Sequence, residues 1–141
     1  MLVEGLIDTG AIIAMLSRTD NWHAACRDAF KTFRLPLITS EAVLTELFYM
    51  VADDSAATDA AWGLLQSGAV TLATIDHTEL SAIQELMERY RDRPMDFADA
   101  TLVYLAKRES VATVFTVDHN DFETYRIEGK RRFRIMPPRK A

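Results

Sequence analysis

The sequence predicts an α/β fold in which a short, mostly parallel central sheet is covered by helices on both faces. Short apolar strands alternate with helices along the chain, an order typical of parallel sheets. The 141 residues, about half hydrophobic and a quarter charged, suit one globular domain and leave no room for two well-buried cores. We therefore expect a single three-layer α/β/α domain over residues 1–141.

The first half of the chain is predicted to hold two strands and four helices. The strand at 2–7 consists of apolar residues and ends at Asp8, and the helices are recognised by apolar residues at helical spacing. Thr39 or Ser40 is expected to cap the third helix, and Gly68 to end the fourth. The predicted elements are strand 2–7, helix 11–16, helix 21–33, strand 35–38, helix 40–51 and helix 55–66.

The second half of the chain is predicted to hold three strands and two helices. Asp76 is expected to cap the first of these helices, Pro94 to stop the chain after it, and Asp96 to start the next, with Phe97 inside. The predicted elements are strand 70–75, helix 79–90, a helix from 96 to about 105, strand 113–117 and a last strand at 133–136.

Charge is distributed unevenly along the chain. Residues 126–141 carry seven basic groups and one acidic group, whereas residues 1–125 carry 9 basic and 20 acidic groups. An acidic body disfavours a protein that coats duplex nucleic acid non-specifically, and favours acids gathered at a cation site. The basic segment at 126–141 either contacts phosphates or keeps the protein soluble.

Several classes of protein are excluded by composition. Cys26 is the single cysteine, so neither an internal disulfide nor a zinc knuckle is expected. No apolar run approaches the roughly 18–20 residues that span a bilayer, so no membrane partner is expected. The N-terminus lacks the basic region of a secretory signal, which predicts a cytoplasmic protein. Residues 6–11 match an aspartic-protease signature, but a helix follows at once and only five glycines are present.

Five acids occupy positions where ligands bind in parallel α/β folds, the carboxyl ends of strands. Asp8 and Asp118 directly follow predicted strands, and Asp96 and Asp99 project to one side of a helix start. Glu46 lies among apolar residues, where an unpaired carboxylate costs several kcal/mol or loses its charge. Mg²⁺ and Mn²⁺ prefer carboxylate oxygens, and such ions lower the pKa of water and stabilise charge on a phosphoryl oxygen.

Four of these five acids also have a purely structural interpretation. Asp8 and Asp96 can cap the helices that follow them, Glu46 can pair with an arginine, and Asp118 can be a turn residue. Independent caps need not all fall at one edge of a sheet, so their joint placement favours a cation site.

Four short motifs occur in a specific order along the chain: Ile7–Thr9, Thr45–Leu47, Pro94–Val103, and Thr116–Asp118 followed by Asp121 and Phe122. In this order and at these intervals they resemble the PIN domain family, and within it the toxin ribonucleases of VapBC-type toxin–antitoxin pairs. The resemblance runs nearly end to end, from residue 6 to residue 138.

The resemblance implies an acidic pocket for Mg²⁺ or Mn²⁺ formed by Asp8, Glu46, Asp99 and Asp118. It leaves two further acids open. Asp96 is either an additional ligand or a helix cap, and Asp121 can take over part of the role of Asp118. The resemblance also implies that two hydroxyl residues support the pocket by hydrogen bonds, Thr9 and Thr116.

The implied reaction is endonucleolytic hydrolysis of an RNA phosphodiester by metal-activated water. Asp8, Asp99 and Asp118 would bind one or two ions, and Glu46 would bind metal or orient the water. His119 is either a general acid or, as we expect, a solvent-exposed loop histidine. The alternative function is a catalytically inactive PIN-fold binding or scaffold module.

Family resemblance further implies a homodimer and a cognate antitoxin that fills the groove or inserts a basic side chain into the pocket. The helical hairpin at 39–66 is either an apolar contact surface or ordinary core, and the sequence favours core. Its apolar residues are Leu47, Phe48, Met50, Val51 and Trp62.

Contacts with RNA are expected from basic rather than aromatic side chains. The candidates near the pocket mouth are Arg18, Arg126, Lys130 and Arg131. The aromatic residues are expected to lie in the core or at an interface before they stack on bases. These aromatic residues are Phe30, Phe33, Phe48, Tyr49, Trp62, Phe97, Tyr104 and Phe115.

Overall fold

A five-stranded parallel sheet lies at the centre of the computed structural model, which describes residues 3–93 and 95–140. The strands are β1 (Gly5–Ile7), β2 (Leu37–Thr39), β3 (Val70–Leu72), β4 (Thr113–Phe115) and β5 (Arg134–Met136). Their order is β3-β2-β1-β4-β5, and every neighbouring pair is parallel. From β1 the chain first adds β2 and β3 on one side and then adds β4 and β5 on the other side. The crevice between β1 and β4 is therefore the topological switch point.

Seven helices are described, together with a 3₁₀ turn at His77–Glu79. They are α1 (Thr9–Leu16), α2 (His23–Thr32), α3 (Glu41–Met50), α4 (Ser55–Gln66), α5 (Leu80–Arg89), α6 (Phe97–Arg108) and α7 (His119–Thr124). All residues of β1, β2 and β4 are buried, so both faces of the sheet are covered, which confirms the predicted α/β/α class. Within the described residues, none of these helices is long and apolar enough to cross a membrane.

Side-chain caps determine where most helices begin. The side chain of Ser40 accepts a hydrogen bond from the backbone of Val43 and starts α3, as predicted. Asp76 caps the 3₁₀ turn in a capping box with Glu79, so the helix predicted from 79 is preceded by this turn. α2 begins at His23 rather than Asn21, and no side chain caps it.

The strands are shorter than predicted, with three residues each. In the predicted strands 70–75 and 113–117, backbone pairing continues one residue past the regular ladder, through Ala73 and Thr116. The chain then turns away to start the next helix. The predicted strand residue Leu2 and the predicted stop at Pro94 lie outside the described residues. α7 was not predicted, because its six residues are too few to show an apolar period.

Four large apolar residues that were predicted to lie in the core or at an interface are exposed. Tyr49 and Met50 are 84% and 63% exposed, although Leu47 of the same helix is fully buried. Two residues correspond to about 200° around a helix, so Tyr49 faces away from the core. Trp62 packs on Phe48 with ring centroids 4.6 Å apart but remains half exposed. The fourth residue, Phe97, begins α6 and is also about half exposed.

α6 carries the polar residues of its first turn into the core. Eight of its twelve residues are buried, including Asp99 and Thr101. Thr101 shares a 2.7 Å hydrogen bond with Ser40 at the start of α3. This contact joins the starts of two helices at the edge of the sheet where β1 and β4 end.

Candidate metal centre

All six acids singled out from the sequence line one open depression at the carboxyl ends of the central strands. Its volume is about 460 Å³. The lining residues are Asp8, Thr9, Gly10, Glu46, Met50, Asp96, Asp99, Val117, Asp118 and Asp121. The depression therefore gathers side chains from separate segments of the chain, as the strand-end rule predicts.

Gly10 allows the first turn of α1 to approach the segment after β4. A Cβ atom on Gly10 would lie 2.8 Å from Cγ2 of Val117, which is closer than real side chains pack. The glycine thus keeps Asp8 and Asp118 on opposite walls of the same small depression.

Asp8 is buried and held by two hydrogen bonds. Its Oδ1 accepts from the backbone N–H of Thr9 at 2.8 Å and caps α1, while Oδ2 accepts from the Thr116 hydroxyl at 2.9 Å. Burial, together with the charges of Glu46 and Asp118, raises the pKa of Asp8 to about 6, although the two hydrogen bonds act to lower it. The cap expected as an alternative is therefore present in the same side chain that faces the depression.

Asp99 has the most strongly perturbed pKa among the acids of the depression. Burial raises it to about 8, with added repulsion from Asp8 and Asp96. The hydroxyl of Tyr125 donates to Asp99 Oδ2 at 2.9 Å, and this tyrosine is fully buried. Sequence reasoning missed Tyr125, because a tyrosine after a strand-end acid has no distinctive local signal.

Glu46 and Asp96 face each other across the rim of the depression. Glu46 Oε1 accepts a 2.9 Å hydrogen bond from the Thr9 hydroxyl, and burial raises its pKa, with Asp96 adding to the effect. No arginine pairs with Glu46 among the described residues. Asp96 Oδ1 accepts from the backbone N–H of Asp99 at 2.7 Å, so the helix-cap interpretation of Asp96 is correct in this structure.

Asp118 and Asp121 lie close to Asp99 in the depression. Oxygens of these three carboxylates all lie within 4.8 Å of one another. Burial and the neighbouring Asp121 raise the pKa of Asp118 to about 6. Asp121 differs from the other acids, because Arg93 donates to its Oδ1 at 2.6 Å. Arg93 was also missed, since nothing in its local sequence separates it from Arg91.

His119 is buried, so the expectation of a solvent-exposed loop histidine was wrong. Its Nε2 lies 2.8 Å from the carbonyl oxygen of Pro137, and its ring lies 5.1 Å from that of Trp22. The C-terminal segment folds over α7 and covers the ring, which no local pattern could show. His119 does not line the depression, so the geometry does not support a general-acid role.

The basic residues proposed for the pocket mouth do not line the depression either. Arg126 donates to the carbonyl oxygens of Glu123, Thr124 and Tyr125 at the end of α7. Arg139 pairs with Glu123, and Lys140 lies 4.4 Å above the Trp22 ring. These three residues of segment 126–141 therefore have contacts within the fold.

The donor set suits a hard divalent cation. Six carboxylates face a common space, and within the described residues their one cationic hydrogen-bond donor is Arg93. Burial raises the pKa values of Asp8, Asp99 and Asp118, and repulsion from neighbouring carboxylates adds to this effect. An all-oxygen site with excess negative charge is the environment that Mg²⁺ and Mn²⁺ prefer.

The protein thus belongs to the class of α/β proteins that hold a cluster of carboxylates at the carboxyl ends of a parallel sheet. The sequence profile of the PIN domain matches residues 5–128, and the chain belongs to the PIN domain family. It is 31% identical to Ribonuclease VapC26 of Mycobacterium tuberculosis (strain ATCC 25618 / H37Rv) over 135 residues, covering 94% of this chain and 99% of that protein.

The fold is also similar to a solved structure. The crystal structure of Mycobacterium tuberculosis VapC20, described as a sarcin-ricin loop cleaving toxin, matches with a TM-score of 0.73. The match covers 82% of this chain and 90% of that one at 20% identity, and it confirms the predicted α/β/α architecture.

Proposed function

We propose that this protein is a metal-dependent endoribonuclease and the toxin of a toxin–antitoxin pair. The observation that carries the proposal is the cluster of six carboxylates at the switch point of a PIN fold, of which Asp121 alone pairs with a cation among the described residues. The name of its relative VapC26, a ribonuclease that aligns over nearly the full length of both chains, supports the reaction class.

Asp8, Asp99 and Asp118 would hold the cation, with Glu46 as a further ligand or as the residue that orients the attacking water. A bound Mg²⁺ or Mn²⁺ would supply an activated water and stabilise the charge that develops on the phosphoryl oxygen. Hydroxyl donors keep these carboxylates in place: Thr116 on Asp8, Thr9 on Glu46 and Tyr125 on Asp99. No side chain of the depression needs to act as a covalent nucleophile.

The proposal includes partners and place of action. We expect a single PIN domain over residues 1–141 that acts in the cytoplasm as a homodimer and is restrained by a cognate antitoxin protein. Exposed apolar side chains on α3 and α4 support a protein partner, because Tyr49, Met50 and Trp62 are each about half exposed or more. Met50 itself lines the depression, so a partner seated there would reach the acids.

An inactive binding or scaffold module is the second candidate. It shares the fold and the apolar surface, but it does not require six carboxylates gathered in one depression. Cation binding without RNA cleavage would favour this module.

The test is cleavage of labelled structured RNAs, a transfer RNA pool and a ribosomal fragment, with Mg²⁺ or Mn²⁺. The purified protein is compared with Asp8→Asn and Asp99→Asn. Discrete products that disappear with chelator and in both variants establish the nuclease and its site. Cleavage that survives both substitutions would point to a contaminating nuclease and overturn the site. A parallel thermal shift with Mn²⁺ separates failed cation binding from failed catalysis.

A further inference from the structure

Arg93 is the one cation that hydrogen-bonds an acid of the depression among the described residues. It donates to Asp121, whereas the other five acids accept from hydroxyls or backbone amides. One positive charge therefore lies at the edge of a strongly negative site.

The ion pair leaves much of the guanidinium available. The side chain of Arg93 is 37% exposed, and a single hydrogen bond at 2.6 Å joins it to Asp121. Arg108 shows the contrasting arrangement on the far side of the domain. Its nitrogens donate to Glu79, to Glu109 and to the carbonyl oxygen of Thr74. The N–H donors of Arg108 are thus engaged in structural contacts. Most N–H donors of Arg93, by contrast, have no partner in the described part of the chain.

The segment that carries Arg93 is tied to the acidic site. The backbone N–H of Arg93 donates to the carbonyl oxygen of Tyr90 at 3.0 Å. The Tyr90 ring packs edge-on against that of Tyr125 at 5.1 Å, and Tyr125 in turn donates to Asp99. The packed tyrosines therefore link the backbone that carries Arg93 to Asp99, and the hydrogen bond to Asp121 orients the guanidinium.

A cluster of carboxylates repels the phosphates of RNA, so a nuclease of this kind benefits from a fixed cation beside the bound metal. A guanidinium suits this task, because its planar fork matches phosphate oxygens. The geometry points to Arg93 as the residue that contacts a phosphate of the RNA substrate, with Asp121 as its positioning residue rather than a metal ligand. This assignment rests on the proposed function and adds the substrate contact to it.

The experiment measures binding of a fluorescein-labelled transfer RNA pool by anisotropy, with Ca²⁺ in place of Mg²⁺ and RNA integrity checked on gels. Arg93→Gln is expected to weaken binding about tenfold, since it removes a charge-assisted hydrogen bond. The slope of log affinity against log salt is expected to fall by about 0.7, the value of one lost single-strand phosphate contact. The Mn²⁺-induced rise in melting temperature should be unchanged.

Three further variants make the result specific. Arg93→Lys keeps the charge and is expected to recover part of the affinity and the full salt slope. Asp121→Asn should weaken binding in the same direction but by less, because the guanidinium remains and only its orientation is lost. Arg91→Gln is the matched control, since Arg91 lies two residues away, is exposed, and lines a different groove beside Phe97. It should bind RNA within about twofold of the wild type.

Other outcomes overturn the assignment. An Arg93→Gln protein that cleaves and binds RNA like the wild type removes Arg93 from the substrate site and leaves the nuclease proposal intact. Tighter Mn²⁺ binding with unchanged RNA affinity shows that Arg93 is only an internal counter-ion. A wild-type protein that binds Mn²⁺ but neither binds nor cleaves any RNA overturns both the function and the assignment.

Discussion

The two ends of α6 both hold carboxylates, but their electrostatics are opposite. At the N-terminal end, Asp99 is buried against other acids and its pKa is raised to about 8. Near the C-terminal end, Glu79 accepts hydrogen bonds from Tyr104 and Arg108, and its pKa is lowered to about 2. A helix N-terminus favours negative charge, so the dipole alone would predict the reverse trend for Asp99.

The difference lies in the partners of each carboxylate. Glu79 has a cation, a hydroxyl and the backbone N–H of Asp76, and together they tie the chain after β3 to the last turn of α6. Asp99 has one neutral hydroxyl donor and several negative neighbours. The hydrogen bonds of Glu79 thus stabilise the fold, and we call this group of contacts the lock. Asp99 instead lies among negative charges whose repulsion an added cation would reduce.

The largest difference between the two ends of α6 is expected when Asp99 and Glu79 are neutralised in turn. Asp99→Asn should lower RNA cleavage by more than about 100-fold, since even residues that only support metal ligands cost about 10–100-fold. Glu79→Gln should leave cleavage within about twofold. Without metal, Asp99→Asn should be more stable than the wild type, because Asn removes the repulsion at Asp99. Glu79→Gln should be less stable, because Gln weakens the lock. A destabilised Asp99→Asn protein at pH 8 would contradict the electrostatic interpretation.

Tyr125→Phe removes only the hydroxyl that supports Asp99. We expect cleavage and Mn²⁺ affinity to fall about tenfold, the lower end of the effect of lost support around a metal ligand. The readouts are initial rates and the Mn²⁺ dependence of the melting temperature. Tyr90→Phe is the matched control, since its ring packs on Tyr125 but its hydroxyl accepts from Arg126. Equal losses in both variants would mean that the effect is not specific to the hydroxyl that supports Asp99.

The pH dependence of stability should distinguish the two ends without mutation. The pKa values of Asp8, Asp99 and Asp118 are raised, so the folded metal-free protein binds more protons than the unfolded chain between about pH 4 and 8. Stability should therefore fall as the pH rises through this window. The lowered pKa of Glu79 acts elsewhere, since its stabilisation is lost only as the pH falls from about 4.5 towards 2.

Thermal unfolding in EDTA from pH 5 to 8.5 measures this dependence. The melting temperature should decline by several degrees towards pH 8, and saturating Mn²⁺ should remove most of the decline, because the cation replaces the protons. A metal-free melting temperature that rises from pH 5 to 8 would be incompatible with the raised pKa values.

The smallest effect is expected at the lock. Tyr104→Phe deletes a hydroxyl that donates to Glu79 but leaves Arg108 in place. The melting temperature should drop by a few degrees at pH 7, with cleavage and Mn²⁺ affinity unchanged. Loss of activity here would show that the two ends of α6 are coupled, and would remove the distinction between lock and site.

Much of the site was predictable because it depends on short-range pattern. Asp8 and Asp118 were found from their places after apolar strands, and parallel strands bring such ends to one edge. Asp96 and Asp99 were found from helix spacing. Glu46 was noticed as a carboxylate among apolar residues. Each signal lies within a few residues of the acid itself.

Residues that act through distant contacts were not predictable in the same way. Tyr125 supports Asp99 across 26 positions, and Arg93 meets Asp121 across 28. The burial of His119 depends on Pro137, which returns over α7 from the end of the chain. Tyr49 and Phe97 were expected in the core or at an interface because they lie on apolar helix faces, but they are 84% and 47% exposed.

The alternation of apolar strands and helices determined the α/β class. The order and spacing of four short motifs carried the resemblance to the family, which implied the candidate centre. These features depend on the spacing of residues that are close together in the sequence. The periodicity of helices and strands places such residues on one face of an element or at one edge of the sheet. The tertiary structure decided the rest: which hydroxyls support Asp8, Glu46 and Asp99, that Arg93 pairs with Asp121, and which apolar residues stay exposed. Such pairings depend on how remote segments pack, because burial and charge act through space and not along the chain.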